Sequence, residues 1–324
     1  MKVDAKVFIG DSDAGRATGL QAAFEFVGLY REISSSAAKI FVKPNFTFPK
    51  PLRGVTTSRE LLVDALQLLR ETGAEVFVGE SNGGYGSFLA SEAFAGHGLH
   101  EICKQTGTTP LDLSQTETEE QRASIGGKVV SVRLPRFLVR EVDFTVSIPV
   151  LKVHAMTTVS LSMKNLWGCY PTDLRLLEHK ELDRKLTLIS RLVKARFGVV
   201  DALFGLDGHG PMEGKPRPLG KFVASNNLLV LDTVCASMMG FNPRRIRHLR
   251  NLLRFAQGTS KPPPFESNED PATYQWNFTM GKNFIDSLSF ACFHSDFLAK
   301  LVFDSPFTYP IYHLLGRKPR RRLT

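Results

Sequence analysis

The sequence predicts an α/β protein built on a largely parallel sheet, with helices on both faces and room for antiparallel additions. Three observations carry this expectation. Short apolar runs rich in Val, Ile and Phe alternate with longer segments of helical period. Four of those runs end in polar clusters, as strands of an open parallel sheet do where they meet a ligand. The 324 residues contain no internal repeat and suffice for one large or two modest domains.

The elements follow in order. AKVFIG (Ala5 to Gly10) reads as the first strand, and Leu20, Phe24 and Val27 then share a helical face. Lys39 to Val42 is a short apolar strand ending in a Pro turn. Ser58 caps a helix through SRELLVDALQLLRETG, with Glu60 in its first turn and Gly73 as its stop. Glu75 to Gly79 forms the next strand, followed by the Gly-rich NGGYGS and a helix around Ser91 to Thr106. KVVSVRL (Lys128 to Leu134) alternates like a half-buried strand and is the place for an antiparallel addition. DFTVSIPV is a more continuously apolar strand. A helix around Leu182 to Phe197, strands through FGVVDALFG and KFVASNN, and a helix LLVLDTVCASMMG stopping at Gly240 complete the pattern. Residues 1–258 are thus expected to form the α/β domain, in one body or two lobes. Residues 259–324 are expected to form a Phe-rich extension with a basic tail, entered through a linker from Lys261 to Asp270.

The net charge of +9 is concentrated in two places. Five basic residues lie between Arg317 and Arg322, and five arginines between Arg244 and Arg254; without both sets the balance is −1 (9 − 5 − 5). Ile246, Leu249 and Leu253 would face a core, which leaves the arginines on a solvated face. Each basic patch is either a plain solvated surface or a docking face for an acidic partner: nucleic acid, an anionic membrane or an acidic protein. No specific nucleic-acid motif is present, and no apolar stretch is long enough for a transmembrane segment. The start of the chain shows no apolar run of signal-peptide type, so the NFT sequons at Asn45 and Asn277 carry no meaning as glycosylation sites. The four cysteines are scattered and form no CxxC pair. That fits a reducing, cytoplasmic setting and gives no reason to expect an iron–sulfur cluster on this chain's own cysteines.

Chemistry gathers at the ends of the four apolar runs: Lys43-Pro44-Asn45, then Glu80-Ser81-Asn82, then Lys152 with His154, then Asp201 followed by GLDGHGPMEGKP. A parallel sheet brings such ends to one edge. Lys43, Lys152 and Lys164 there would repel one another unless an anionic ligand or the carboxylates of Glu80, Asp201 and Asp207 balanced them. A lysine crowded by cations has a lowered pKa suited to proton transfer. His154 and His179 titrate near neutrality and suit acid–base work or metal binding. Asp207, His209 and Glu213 offer oxygen and imidazole donors for a divalent metal, at a spacing that matches no standard motif. NGGYGS is neither a dinucleotide fingerprint nor a P-loop, and no nucleophile elbow, HExxH or kinase set is present. Asp232 reads as a first-turn acid favoured by the helix dipole.

An ordered set of short motifs runs from Lys39 to Gly258: KPN, the pair Thr56-Thr57, GES, PVLKVH, MKNLWG, His179, VVDALFGLDGHGPMEGKP, Ala224-Ser225 and LDTVCASMMG. In this order they resemble the bacterial and archaeal family known as domain of unknown function 362. The resemblance implies a cytosolic α/β protein, often joined to a ferredoxin-like iron–sulfur module that this chain's cysteines do not supply. It also implies a distant similarity to the lactate racemase superfamily, whose members use His and Lys near a substrate carboxylate.

The functional expectation is an enzyme of isomerase or lyase type acting on a small anionic carboxylate or phosphate metabolite. His154, Lys152, Glu80 and Asp201 are the catalytic candidates. Lys43, Asn45, Thr56, Thr57, Ser81, Lys164 and Asn165 are the substrate-binding candidates, and His179, Asp207 and His209 the candidate metal ligands. Two alternatives stand beside it: an accessory redox protein working with a separate iron–sulfur partner, and a non-catalytic binding protein using the basic helix and tail.

Overall fold

The computed structural model describes residues 4–12, 15–33, 38–84 and 87–281. The basic tail from Arg317 to Arg322 and most of the Phe-rich segment lie outside the described residues, as do Tyr85 and Gly86 of the Gly-rich loop.

In chain order the elements are β1 (Ala5–Asp11), α1 (Arg16–Phe26), α2 (Leu29–Glu32), β2 (Lys39–Pro44), α3 (Arg59–Glu71), β3 (Glu75–Glu80), α4 (Ala90–His97), α5 (Leu99–Thr106), β4 (Thr109–Asp112), β5 (Thr118–Ile125) and β6 (Lys128–Pro135). They continue with α6 (Arg136–Arg140), β7 (Phe144–Ile148), β8 (Val150–His154), β9 (Thr158–Ser160), α7 (Ser162–Asn165), α8 (Leu182–Leu192), β10 (Ala195–Asp207), β11 (Lys215–Ser225), α9 (Leu228–Met238), α10 (Arg247–Gln257) and β12 (Phe265–Ser267).

One sheet organises the molecule, in the order β12-β1-β11-β10-β7-β2-β3-β4, with β8 and β9 attached beside β10. The run β10-β7-β2-β3-β4 is parallel. The pairs β1–β11, β10–β11 and β8–β9 are antiparallel. This is the expected α/β class with antiparallel additions. KVVSVRL does join an antiparallel pair, but with β5 in a separate two-stranded sheet.

Helices cover both faces because each carries one apolar stripe. Leu61, Leu62, Ala65, Leu66 and Leu69 of α3 recur at helical spacing and are buried. They join Leu20 and Phe24 of α1 and Phe94 of α4 in one core against the sheet. Leu138, Leu186, Ile189, Leu252 and Leu253 of α6, α8 and α10 build the core under the β5–β6 hairpin. Val230, Leu231 and Met238 of α9 pack with Val7 and Ile9 of β1.

Four local expectations change. The single helix around Ser91 to Thr106 is two, because Gly98 takes φ 63 and turns the chain. The helix expected to reach Phe197 stops at Leu192, followed by Lys194 at φ 49, which frees β10 to start at Ala195. DFTVSIPV is not one strand: β7 stops at Ile148, Pro149 offsets the chain, and β8 resumes beside the distal half of β10. Part of the expected linker, Phe265–Ser267, is an edge strand parallel to β1.

Candidate functional site

The offset at Pro149 decides where the chemistry sits. Lys152 and His154 lie inside β8 rather than in a loop after a strand, and both are buried, Lys152 at 1% exposure. Lys43 is the last residue but one of β2 and Glu80 closes β3, so all four reach the carboxyl edge of the parallel strands.

Lys43 is fully buried and ion-paired with Glu80, and its Nζ also donates to the Pro44 carbonyl at 2.7 Å. Glu80 takes further amide bonds from Phe46 (3.3 Å) and Ser81 (3.1 Å). Gly168 is why the pair can form. A Cβ there would stand 2.2 Å from Glu80 Oε1 and 2.8 Å from Lys43 Nζ, so the last residue of MKNLWG has to be bare. Asn165 ties the neighbouring strands together, donating to the Lys43 carbonyl at 2.8 Å and to Ser147 Oγ at 3.1 Å. Lys152 Nζ donates to the Val55 carbonyl at 2.9 Å and reaches Asn45 Oδ1 at 3.4 Å. His154 Nδ1 accepts the Met156 amide at 3.1 Å, which places the ring proton of the neutral form on Nε2. Lys164 is half-buried, and its ammonium has no hydrogen-bond partner among the described residues.

These groups feel one another. Burial pushes Lys152 down to about 7, helped by the charges of Lys164 and Lys43 and opposed by Glu80. Burial and then Arg175 lower Lys164 to about 8, against the pull of Asp183. His154 falls well below the usual imidazole range, through burial first and then Lys164, Lys152, His179 and His248. Lys152 therefore lies within electrostatic reach of Lys43, Lys164 and His154, with Glu80 paired to Lys43.

Other candidates have different jobs. Asp201 is buried, and its carboxylate accepts the Ser58 amide at 2.7 Å and the Leu203 amide at 3.0 Å, anchoring the residue that precedes α3; burial raises its pKa. Thr57 Oγ1 accepts the Asn45 amide and donates to the Ile148 carbonyl, while Thr56 Oγ1 closes the turn on Leu52. Both threonines hold the loop that presents the Val55 carbonyl to Lys152. Behind it, Thr56, Thr57 and Asp201 line a cavity of about 440 Å³ together with Phe46, Arg53 and Arg59. Ser81 Oγ accepts from Arg175.

The three expected metal ligands stand in different settings. Among the described residues no group of three or more His, Cys, Asp or Glu is placed to hold a metal ion. His179 is buried beside Trp167, with ring centroids 5.8 Å apart. Asp207 is ion-paired to Arg217 at 3.0 Å and bonded to Thr279 at 2.7 Å, at the start of the β10–β11 turn that carries His209. Asp232 lies past the first turn of α9 and accepts the Ser162 and Met163 amides instead; burial pushes it up to about 6.

Two functional neighbours were missed. Arg175, in the 3₁₀ segment Asp173–Glu181, bonds Ser81, Tyr170 and Asn82 at 2.8 to 3.0 Å, and no periodicity marks it. His248, read as part of the arginine-rich helix, is buried and held by Asp183 at 2.5 Å. Its position beside Leu249, Leu252 and Leu253 on one helical face was the available signal.

Fold and site together define an α/β protein with a buried, cation-rich centre at the carboxyl edge of a mixed sheet. The chain belongs to the family described as Domain of unknown function (DUF362), whose pattern matches residues 40–237. The thylakoid-associated protein sll1697 of Synechocystis sp. is 26% identical over 221 residues, covering 64% of this chain and 65% of the relative, so the match spans just under two thirds of that protein's length. Among solved structures, the lactate racemase apoprotein from Thermoanaerobacterium thermosaccharolyticum aligns with TM-score 0.47 at 13% identity over 72% of this chain and 57% of its own. A protein from Thermotoga maritima aligns with TM-score 0.36 at 13% identity over 65% and 55%. These two likenesses are distant and say nothing about chemistry.

Proposed function

We propose that the chain is an enzyme that binds a small anionic metabolite, a carboxylate or a phosphate, and moves a proton on it in an isomerase- or lyase-type reaction. One observation carries the reading: buried Lys152 lies within electrostatic reach of both Lys43 and Lys164, Lys43 is ion-paired with Glu80, and the Lys164 ammonium has no hydrogen-bond partner among the described residues. Crowding ammonium groups at a buried site is costly, and a bound anion relieves the cost.

The same anion prepares the acid–base groups. Lys152 is poised near neutrality, so its amine can take a proton and its ammonium return one. Negative charge beside it would raise the pKa of Lys152, Lys164 and His154 together. His154 Nε2, opposite the Nδ1 that holds the Met156 amide, is the second proton carrier. Glu80 holds Lys43 in an ion pair, and Asn165 keeps the two strand ends in register.

Thermal shift against a panel of carboxylates and phosphates tests the binding step. Incubation of carboxylates bearing an α-hydrogen in D₂O, read by proton NMR, tests the chemistry. Anion-dependent stabilisation and deuterium uptake that both vanish in Lys152→Met and His154→Asn, with folding retained, are the expected results. If both variants are stabilised by every anion as the parent is, the reading fails.

A further inference from the structure

The arginine helix is more than a soluble face, and its surroundings say what it meets. Arg247, Arg250 and Arg254 lie three and four residues apart on α10 and are exposed, while His248, Leu249, Leu252 and Leu253 fill the opposite side. Arg244 and Arg245 extend the face through the preceding 3₁₀ turn. None of the five side chains makes a hydrogen bond or a close ion pair among the described residues; Arg247 feels Asp183 only at longer range. The neighbouring acids are already taken: Glu181 by Lys128 (2.5 Å) and Arg184 (3.2 Å), Asp183 by His248 and Asn251.

Beside the C-terminal half of α10 stands the tip of the β5–β6 hairpin. A Cβ on Gly126 would touch the Phe255 ring at 2.5 Å, so this tip packs directly on the helix. Arg184 stacks over the same ring at 4.8 Å, and Arg191 bonds the Phe255 carbonyl at 3.1 Å. Just past the turn, β6 carries Val129 at 69% exposure, more than Leu52, Met212 or Phe265, the other large apolar residues left exposed among the described residues. An apolar residue left exposed two positions past the Gly-Gly turn, on the hairpin that packs on Phe255 and so stands near Arg254 of the basic helix, joins two signals. Cations are drawn to an anionic surface, and an apolar tip gains by leaving water. A nucleic acid would reward the arginines but not the valine.

We propose that this face docks the protein peripherally on an anionic lipid bilayer, with the α10 arginines on the headgroups and Val129 entering the interface. The inference stands apart from the Lys/His site, and each can fail alone. The test is co-sedimentation of the full chain with phosphatidylcholine vesicles, with and without phosphatidylserine. Binding is expected only to the anionic vesicles. Replacing Arg247, Arg250 and Arg254 by Gln should weaken it on the order of 100-fold, from about fivefold per arginine. Val129→Asp should weaken it several-fold at salt concentrations where arginine attraction is screened. Circular dichroism checks that the variants fold, and a variant lacking Arg317 to Thr324 separates the tail from the helix. Three results would overturn the proposal: no preference for anionic vesicles, binding unchanged by the triple substitution but lost with the tail, or equal retention on double-stranded DNA with no response to Val129→Asp.

Discussion

The Lys43–Lys152–Lys164 cluster and the arginine face of α10 carry the same sign of charge in opposite settings. In the first, Lys43 and Lys152 are buried and Lys164 half-buried at the carboxyl edge of the sheet, and burial lowers Lys152 to about 7 and Lys164 to about 8. In the second, guanidiniums stand in water, where solvent and salt screen them. Burial makes the first set interdependent: one missing partner is felt by the rest. Exposure makes the second set additive and nearly indifferent to folding. The first can do chemistry because its protons are negotiable, whereas arginine in water never gives one up.

The contrast is sharpest at Glu80. Glu80→Ala leaves the buried Lys43 ammonium unpaired and should cost about 3–5 kcal/mol in urea unfolding at neutral pH. A loss below about 1 kcal/mol would mean the two regions are not so different. Gly168→Ala pushes into both members of the same pair and should cost about 1–3 kcal/mol.

pH separates the regions next. Lys152 and Lys164 have folded pKa values near 7 and 8, below the free-lysine value, so the unfolded chain binds more protons between neutrality and about pH 10. Their stabilising contribution is full above about pH 10 and is lost as pH falls toward 7. The parent should therefore gain stability from pH 7 to 9, by up to about 1.4 kcal/mol per pH unit for each proton released, relative to Lys152→Met. Anion affinity should move the other way, weakening with rising pH, because the ligand needs the charged form. Titration calorimetry at several pH values reads that trend, and a flat profile would detach the lysines from the ligand. The smallest effect belongs to the exposed face: Arg247→Gln should change unfolding free energy by less than about 0.5 kcal/mol, in low or high salt.

How much of this was legible depended on range. The parallel core was plain in the apolar runs, because each run is local, and the strand ends alone point to Lys43, Glu80 and Lys152. What could not be read was pairing across long separations. Lys43 meets Glu80 across 37 residues and Lys152 meets Asn45 across 107. Pro149 looked like part of one strand, yet it shifts Lys152 from loop to core. Asp201 looked like a free carboxylate because the Ser58 amide it binds lies 143 residues away. Gly168 was visible in MKNLWG, but only its neighbours explain it.

The outer strands of the sheet are very short: β12 has three residues and β4 four. Long bare margins on so broad a surface would invite copies of the chain to zip together side by side. A three-residue hem laid along β1 leaves little ladder for a second molecule to grip. Cutting the chain before Phe265 would bare the backbone of Ala5 to Val7, so insoluble assembly, rather than lost catalysis, is the first defect to look for in a shortened form.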